Sequence, residues 1–334
     1  MKIAILALGF VVSLTGGIAA HADEAKQIDQ DILNKRLGGE TKAEEVLPEA
    51  GFKKRDEQKP DLAYGAFQRG EYLTAFQLAL PLAEKGDAAA QTLIAELYDK
   101  GLGIGRDTRQ AATWYKIAAE SGNREAQFSY ALKLLQGRDL PQDKPKGEAM
   151  MKKAAEAGHP VAMFNHANQI VANRPTSAGY RQALPFYEKA AENRLADAYY
   201  ALAVIYREGR TNGIQDPVKA RQWLERAAKA GVDTAQIELG IALINGTDGP
   251  KDEKLAFSIL KGLALRGNVI AQNRVAHMYA NGIGVKASQV DAGKWHILAS
   301  RAGRADLDLD QFIRGLDPKT RQKALRLANE WRGS

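Results

Sequence analysis

Apolar and polar residues follow one another along most of the chain in a pattern that repeats about every 36 residues. Each copy contains two stretches in which apolar or small residues recur three and four positions apart, which is the spacing of one face of an α-helix. A short loop joins the two stretches. The pattern therefore predicts an all-α protein built from consecutive helix pairs, in which each pair buries its apolar face against its neighbours.

The residue that ends each second helix fixes the period. This residue is glycine in six of seven copies, and the steps between successive copies are 36, 36, 36, 37, 36 and 36 residues. A period this regular is the sequence signature of a solenoid, in which each repeat contacts only the adjacent repeats. The seven positions are Gly86, Gly122, Gly158, Arg194, Gly231, Gly267 and Gly303.

Within each copy, the same residue types occupy the same positions. The first helix begins near an alanine, which we call the periodic alanine, and in most copies it ends at a glycine eleven positions later. Glycine closes helices because it adopts the left-handed backbone conformation without steric cost. The second helix carries a large apolar residue and then a pair of small residues, which lets neighbouring helices approach closely. Aspartates that are expected to cap second helices are Asp107, Asp143 and Asp216.

Three copies carry the pattern most completely, and they resemble the Sel-1-like repeat, a relative of the tetratricopeptide repeat. One of them begins at Ala198, continues through Tyr206 and Gly209, and ends with Trp223 and Gly231. The resemblance extends over about seven units, 61–303. It implies a right-handed superhelical α-α solenoid. The other two copies match at Ala90, Tyr98, Gly101, Trp114 and Gly122, and at Ala271, Tyr279, Gly282, Trp295 and Gly303.

Two units depart from the pattern. The two glycines of the first unit are 16 positions apart, whereas those of the second are 21 positions apart, and the first unit is expected to serve as the N-terminal cap of the array. The fourth unit has the segment 173–179 in place of the glycine loop, and Arg194 stands where the other units have the closing glycine. The sequence leaves the loop conformation at both places open.

The period stops after Gly303. Asp317 followed by Pro318 predicts the start of a helix, since aspartate caps helices and proline is favoured in the first turn. The following segment, 319–331, carries apolar residues on one face. We therefore expect 304–334 to supply helices that cap the end of the array, because the last repeat of a solenoid must cover its exposed face.

The first 22 residues have the layout of a signal peptide. Lys2 precedes an apolar run, 3–14, and a cleavage site of the A-x-A type ends at Ala22. The run is shorter than the about 20 residues that span a bilayer, which disfavours a membrane anchor. We expect export to the periplasm, with secretion as the alternative. Residues 23–60 are charged and predict a flexible leader, in which 24–37 could form an amphipathic helix that docks on a partner.

Composition limits the choice of partner. The chain has no cysteine, so an exported form can carry neither a disulfide nor a lipid attached through cysteine. The net charge is +7, or +6 for a chain that starts at Asp23, because Lys2 is the only charged side chain before that residue. Such a charge suits a solubilising surface, or an anionic partner such as a polysaccharide, the cell wall or an acidic protein face. Nucleic acid is disfavoured, since the basic residues are spread along the repeats and the chain is expected to be exported.

The sequence contains no recognisable catalytic, cofactor-binding or metal-binding constellation. His159 and His166 are seven positions apart, about two helical turns, which is too far to share one metal directly. The glycines of 101–105 follow a helix rather than a strand, which argues against a nucleotide loop. The aspartates of 306–310 lack the glycine and the closing glutamate of a calcium loop. We therefore expect a protein that is not an enzyme and that holds neither a cofactor nor a metal.

The candidate binding surface lies on the first helices, which are expected to line the inner face of the solenoid. Positions one and two residues after each periodic alanine form a track that is apolar and aromatic in the middle of the array. These side chains form either a hydrophobic binding site for a peptide or helix of a partner, or the core between repeats. The central residues of the track are Phe128, Met163, Phe164, Tyr199 and Tyr200, and its other members include Gln91, Gln127, Gln236 and Gln272.

The resemblance implies a non-enzymatic scaffold or regulator of the periplasm. Exported relatives in Gram-negative bacteria include a regulator of exopolysaccharide production that binds the periplasmic domain of a sensor kinase, and scaffolds of polysaccharide-export assemblies. The scaffolds are expected to carry a lipidated cysteine, which this chain lacks, so the sensor regulator is favoured. One alternative is a secreted effector or host-binding adhesin. The other, a hydrolase of cell-wall or β-lactam amide bonds, is disfavoured because no pair of nucleophile and base is visible.

Overall fold

The computed structural model describes residues 61–331, and these residues form 16 α-helices and no β-strand. The predicted signal peptide, 1–22, and the predicted leader, 23–60, lie outside the described residues. The helices are α1 (Leu62–Gln68), α2 (Tyr72–Glu84), α3 (Ala88–Lys100), α4 (Thr108–Glu120), α5 (Arg124–Gln136), α6 (Lys144–Glu156), α7 (Pro160–Asn173), α8 (Ser177–Glu192), α9 (Ala196–Arg207), α10 (Pro217–Lys229), α11 (Asp233–Asn245), α12 (Glu253–Leu265), α13 (Val269–Asn281), α14 (Gln289–Arg301), α15 (Leu307–Arg314) and α16 (Pro318–Glu330).

The helices α1 to α14 form seven consecutive pairs, in which odd numbers are the first helices and even numbers the second helices. Each of these helices packs against the next one along the chain, and α16 packs against α14. The architecture is therefore the all-α solenoid that the period predicts. Among the described residues, no helix combines the length and the apolar character needed to cross a membrane.

The core consists of small side chains with larger ones set between them. Every alanine in the small pairs of α4, α6, α8 and α10 is at most 5% exposed. Trp295, the large apolar residue of α14, is 1% exposed. Small pairs allow the helices to lie close together, so the core reaches a high packing density without any disulfide.

The predicted capping residues do what their positions suggest. The side chains of Asp107, Asp143 and Asp216 each accept a hydrogen bond from a backbone N–H in the first turn of the following second helix. These bonds satisfy donors that a helix leaves without a partner. The glycines at the ends of α3, α5, α11 and α13 adopt the left-handed conformation.

The fourth unit closes in the same way as the others although it lacks the closing glycine. Arg194 has a φ of 62°, in the left-handed region where Gly231 has a φ of 88°. The N–H groups of Arg194 and Leu195 donate to carbonyl groups in the last turn of α8 over 2.9 and 3.1 Å. The backbone at Arg194 therefore has the same left-handed conformation as at the closing glycines, although a residue with a side chain adopts it at a steric cost.

The segment 173–179 forms a shorter turn than the glycine loops. The helix α7 ends at Asn173, and Thr176 caps α8 by accepting from the N–H of Gly179 over 3.4 Å. A Cβ at Gly179 would lie 1.9 Å from the carbonyl oxygen of Arg174, so only glycine fits there. The helix α8 is longer than the other second helices, with 16 residues, and takes up most of the chain that forms a loop elsewhere.

Candidate partner-binding surface

The glutamines of the predicted track link neighbouring repeats, and three of them, Gln91, Gln127 and Gln272, are buried while Gln236 is half-buried. Each donates from its side-chain amide to a carbonyl in the last turn of the preceding second helix, over 2.8 to 3.3 Å. The glutamine directly after the periodic alanine thus links one repeat to the preceding one by a hydrogen bond. The four donor–acceptor pairs are Gln91 with Ala83, Gln127 with Ala119, Gln236 with Ala228 and Gln272 with Ala264.

Met163 and Tyr199 occupy this same bridging position in the fourth and fifth units. Met163 is 6% exposed and packs in the core of the central repeats. Tyr199 is half-buried, and its ring stacks on that of Trp223 with a distance of 5.8 Å between centroids. Met163 therefore offers little surface to a partner, whereas Tyr199 keeps part of its ring accessible.

The three residues two positions after the periodic alanine are half-buried and present part of their rings. Phe128 stacks on His159 with 4.2 Å between ring centroids. Phe164 meets Tyr187 edge to face with 5.7 Å between ring centroids. The hydroxyl of Tyr200 reaches across to the next repeat. Of the five predicted residues, Met163 is thus buried and the other four are half-buried.

Tyr200 is part of a cluster that links α9 to α11. Its hydroxyl donates to Oε1 of Glu238 over 2.7 Å, and Arg207 donates from Nη1 to Oε2 of the same carboxylate over 2.7 Å. Burial and the neighbouring Glu238 raise the pKa of Tyr200 to about 12, so the phenol stays protonated and keeps donating. The Arg207 side chain remains 39% exposed.

No pattern in the sequence marks Arg207 and Glu238 as site residues. They are 31 positions apart, and they meet because position nine of one first helix faces position three of the next. Periodicity alone does not show this register between neighbouring helices. We call the surface formed by Phe128, Phe164, Tyr200, Arg207 and Glu238 the Tyr200 surface.

A cavity of about 210 Å³ lies beside this cluster. It is bounded by α9, α10, α11 and the loop that follows α11. Its wall is apolar at Ala203, Leu224 and Ile241, and it also includes Arg207 and Arg221.

The histidines are distributed along the array. His159 caps α7, where its Nδ1 accepts from the N–H of Ala162 over 3.1 Å, and burial lowers its pKa. His166 meets the ring of Phe186 edge to face, and burial lowers its pKa as well. Within 61–331, no three histidine, aspartate or glutamate side chains lie close enough together to hold a metal ion.

The aspartates of 306–310 connect the C-terminal helices to the last repeat. Asp306 caps α15 and also accepts from Nδ2 of Asn273 and contacts Nε2 of His277, both over 2.8 Å. Asp310 contacts Nε2 of His296 over 2.7 Å. These carboxylates therefore serve to attach α15 to α13 and α14.

Comparison with family models identifies one family. A model described as the Sel1 repeat matches six consecutive segments, which together cover α3 to α14. The helices α1 and α2 and the two C-terminal helices lie outside the matched residues. The matched segments are 88–123, 124–159, 160–194, 196–232, 234–268 and 269–303.

Two curated proteins share part of this sequence. The Sel1-repeat-containing protein YjcO of Escherichia coli K12 is 32% identical over 155 residues, which are 42% of this chain and 66% of YjcO. Chitin synthase regulatory factor 3 of Schizosaccharomyces pombe is 29% identical over 129 residues, which are 38% of this chain and 14% of that protein. The chain thus spans less than two thirds of either relative.

Two solved structures share the fold over most of this chain. The first is c5321, described as a protective antigen present in uropathogenic Escherichia coli strains, with 26% identity and a TM-score of 0.65 over 81% of this chain and 59% of that one. The second is a Sel1 repeat protein from Oxalobacter formigenes, with 28% identity and a TM-score of 0.61 over 71% of this chain and 95% of that one.

Proposed function

Because the chain belongs to the Sel1 repeat family, we propose that it is a non-enzymatic regulator of the periplasm that binds a protein partner through the Tyr200 surface. Sel1 repeats are a helical scaffold fold that commonly mediates interactions between proteins. The proposed partner is the periplasmic domain of a sensor kinase or a component of exopolysaccharide or cell-envelope assembly. The signal peptide expected at 1–22 supports this location.

The cluster of Tyr200, Arg207 and Glu238 carries the proposal. Tyrosine and arginine are enriched among the residues that contribute most to binding energy at protein interfaces. The shared carboxylate already holds both side chains in place. Binding therefore costs little additional side-chain entropy, while the exposed part of Arg207 and the ring edges remain available for contact.

One relative supports a regulatory role near polysaccharide synthesis. The protein of Schizosaccharomyces pombe is named chitin synthase regulatory factor 3, and 129 residues of it are 29% identical to this chain. A sequence similar to part of this chain therefore occurs in a protein named as a regulatory factor of a polysaccharide synthase. This observation favours a regulator over a structural scaffold for the present chain.

Site-specific photo-crosslinking in living cells tests the binding surface. A photoreactive residue is placed at Arg207, on the Tyr200 surface, and for comparison at Lys229, which is exposed at the end of α10. We expect a crosslinked adduct of defined mass from position 207 and none from 229. Mass spectrometry of that adduct identifies the partner.

A pair of tyrosine variants shows whether the adduct depends on the Tyr200 surface itself. Tyr200→Ala removes the donor to Glu238, and Tyr206→Ala removes a half-buried tyrosine of the same helix whose hydroxyl bonds Glu188 instead. We expect Tyr200→Ala to abolish the adduct and Tyr206→Ala to retain it, with circular dichroism showing both folded. Equal adducts from positions 207 and 229, or equal loss in both variants, would contradict the proposal.

A gene-deletion strain tests the physiological part. Secreted polysaccharide is measured in the strain without the gene and after complementation with the wild type, Tyr200→Ala or Tyr206→Ala. We expect the wild type and Tyr206→Ala to restore the normal amount and Tyr200→Ala to fail. Unchanged polysaccharide in the deletion strain would remove the exopolysaccharide assignment but leave partner binding standing.

A host-facing role is the second candidate. The structure of a protective antigen present in uropathogenic strains aligns with 81% of this chain, and an antigen that protects must be accessible to the host. In that case we expect the protein in the culture supernatant or on the cell surface and not in the periplasmic fraction. Fractionation of cells with a periplasmic and a cytoplasmic marker distinguishes the two candidates.

A further inference from the structure

Two loops of the array lie directly against the preceding repeat. In the loops after α3 and α13, the second glycine is Gly103 and Gly284, with φ of 70° and 65°. A Cβ at Gly103 would be 2.6 Å from the backbone nitrogen of Leu73, and one at Gly284 would be 1.9 Å from the carbonyl oxygen of Glu253. Leu73 and Glu253 lie at the start of the preceding second helices, α2 and α12. Glycine thus allows each loop to touch the backbone of that helix.

The loop after α11 has aspartate at the equivalent position. Asp248 stands two residues after Gly246, as Gly284 stands two residues after Gly282, and its φ of 59° is in the left-handed region. This loop thus carries a side chain at the position where Gly103 and Gly284 touch the preceding second helix. The cavity of about 210 Å³ lies between the loop, α10 and the neighbouring first helices.

Arg221 of α10 extends into this space and is held at two points. Its Nε donates to Oε1 of Glu225 over 2.7 Å, and its Nη1 donates to the carbonyl oxygen of Thr247 over 3.2 Å. The residue is 8% exposed and lines the cavity. A guanidinium has five N–H donors, and Nη2 has no hydrogen-bond partner within 61–331.

The other groups around the cavity define what fits there. The wall includes the side chains of Ala203, Leu224 and Ile241, which are apolar. Glu238 is engaged by Tyr200 and Arg207. A volume of 210 Å³ equals that of about seven waters at roughly 30 Å³ each, enough for a group the size of a leucine side chain with one polar end. Arginine pairs with carboxylates in a planar, two-point geometry.

We propose that this cavity binds a carboxylate carried on a short apolar group. The carboxylate accepts from Nη2 of Arg221, and the apolar part rests on Ala203, Leu224 and Ile241. The inference rests on the proposed function only in regarding this group as part of a protein partner, such as the C-terminal residue of an extended segment. The cavity adjoins the Tyr200 surface, because Arg207 and Glu238 belong to both.

The test uses two small probes and the full-length chain. N-acetyl-leucine has an apolar side chain and a free carboxylate, and N-acetyl-leucinamide has the same shape without the charge. Binding is followed by NMR at the Nε–H of Arg221 and the amide of Thr247. We expect saturable shifts with N-acetyl-leucine and at least about tenfold weaker binding of the amide, which corresponds to about 1.4 kcal/mol. Equal binding of both probes, or binding of neither, overturns the proposal.

Three variants test whether binding of the probe depends on the cavity and not on the charge of the protein as a whole. Asp248→Gly allows the loop to pack on α10 as the glycine loops do, so we expect loss of N-acetyl-leucine binding together with a higher unfolding temperature. The loss is informative because the substitution removes a negative charge that would repel the probe. Arg221→Gln is expected to abolish binding, and Arg226→Gln, an exposed arginine of the same helix, to retain it.

The outcome of the probe-binding experiments is independent of the crosslinking test of the proposed function. Undiminished binding in Asp248→Gly or in Arg221→Gln would overturn the cavity assignment, while the crosslink from position 207 would still report partner binding. Conversely, specific binding of N-acetyl-leucine without any crosslinked adduct would retain the cavity and reject the partner surface.

Discussion

Arg194 adopts a backbone conformation that is reserved for glycine at the six equivalent positions of the array. A side chain in the left-handed region costs about 1–2 kcal/mol of stability. Glycine avoids this cost, but it also gives the unfolded chain more conformational freedom, which offsets part of the gain. We therefore expect Arg194→Gly to stabilise the protein by about 0.5–1 kcal/mol. Urea unfolding followed by circular dichroism measures the change.

The reverse substitution is the matched control. Gly231 closes the fifth unit with a φ of 88°, and its added Cβ would meet no atom within 4 Å. Gly231→Arg should therefore destabilise by a similar amount, since only the backbone conformation is affected. Equal stability of all three proteins would show that the left-handed position carries no cost in this array.

At the scale of single elements, the glycine loops fix how closely successive repeats approach. In Gly284→Ala, the added methyl group would overlap the carbonyl oxygen of Glu253, in addition to the cost of the left-handed conformation. We expect a loss of more than about 2 kcal/mol, because the loop must move away from α12.

Gly303→Ala separates the contact from the conformational cost. Gly303 has a φ of 85°, but a Cβ there would meet no atom within 4 Å. Its replacement should cost about 1 kcal/mol, the conformational part alone. Urea titrations of both variants decide between the two contributions, and equal losses would mean that the contact with Glu253 has no energetic weight.

The attachment of α15 to the last repeat depends on the ionised form of Asp306. Burial alone would raise its pKa, but hydrogen bonds from Asn273, from His277 and from the N–H of Leu309 outweigh burial and hold the pKa well below its usual value. A carboxyl whose pKa is depressed on folding stabilises the fold above the unfolded pKa of about 3.9, and this contribution disappears as the pH falls.

Asp306→Asn retains a capping side chain but removes this charge. We expect it to lose about 1–2 kcal/mol at neutral pH, as for a hydrogen bond to a charged group. The difference from the wild type should stay constant between about pH 5 and 8 and narrow below about pH 4. Asp308→Asn, an exposed aspartate on the same helix, is the control and should show little difference. A difference that is independent of pH would contradict the role of the charge.

Local features of the fold could be predicted from the sequence because they depend on neighbouring residues. The caps at Asp107, Asp143 and Asp216 and the closing glycines follow from chain-local geometry. Contacts between repeats could not be predicted in this way. The sequence did not show that Gln127 bridges repeats and that Arg207 meets Glu238, since both depend on how one helix is rotated against the next.

The two ends of the whole array differ. At the C-terminal end, α16 covers α14, and Trp331 lies 6.3 Å from Trp295 between ring centroids. In the first pair, Tyr64 and Leu82 are 49% and 45% exposed, although the later units have buried residues at the equivalent positions. The first unit is shorter, as the sequence indicates, but among the described residues it lacks the polar outer face that ends a typical array.

A solenoid has nearly independent repeats, so damage at one end should remain local. Stability in such an array is a sum of repeat and interface contributions, and the described helices make their main contacts with sequence neighbours. We expect removal of 304–334 to expose Trp295 and to lower amide protection in α12 to α14, while α3 to α6 keep theirs. Hydrogen exchange resolved by mass spectrometry measures protection helix by helix. A uniform loss along the chain would instead show that the repeats fold as one cooperative unit, and the C-terminal helices would then be needed for the whole array and not only for its last repeat.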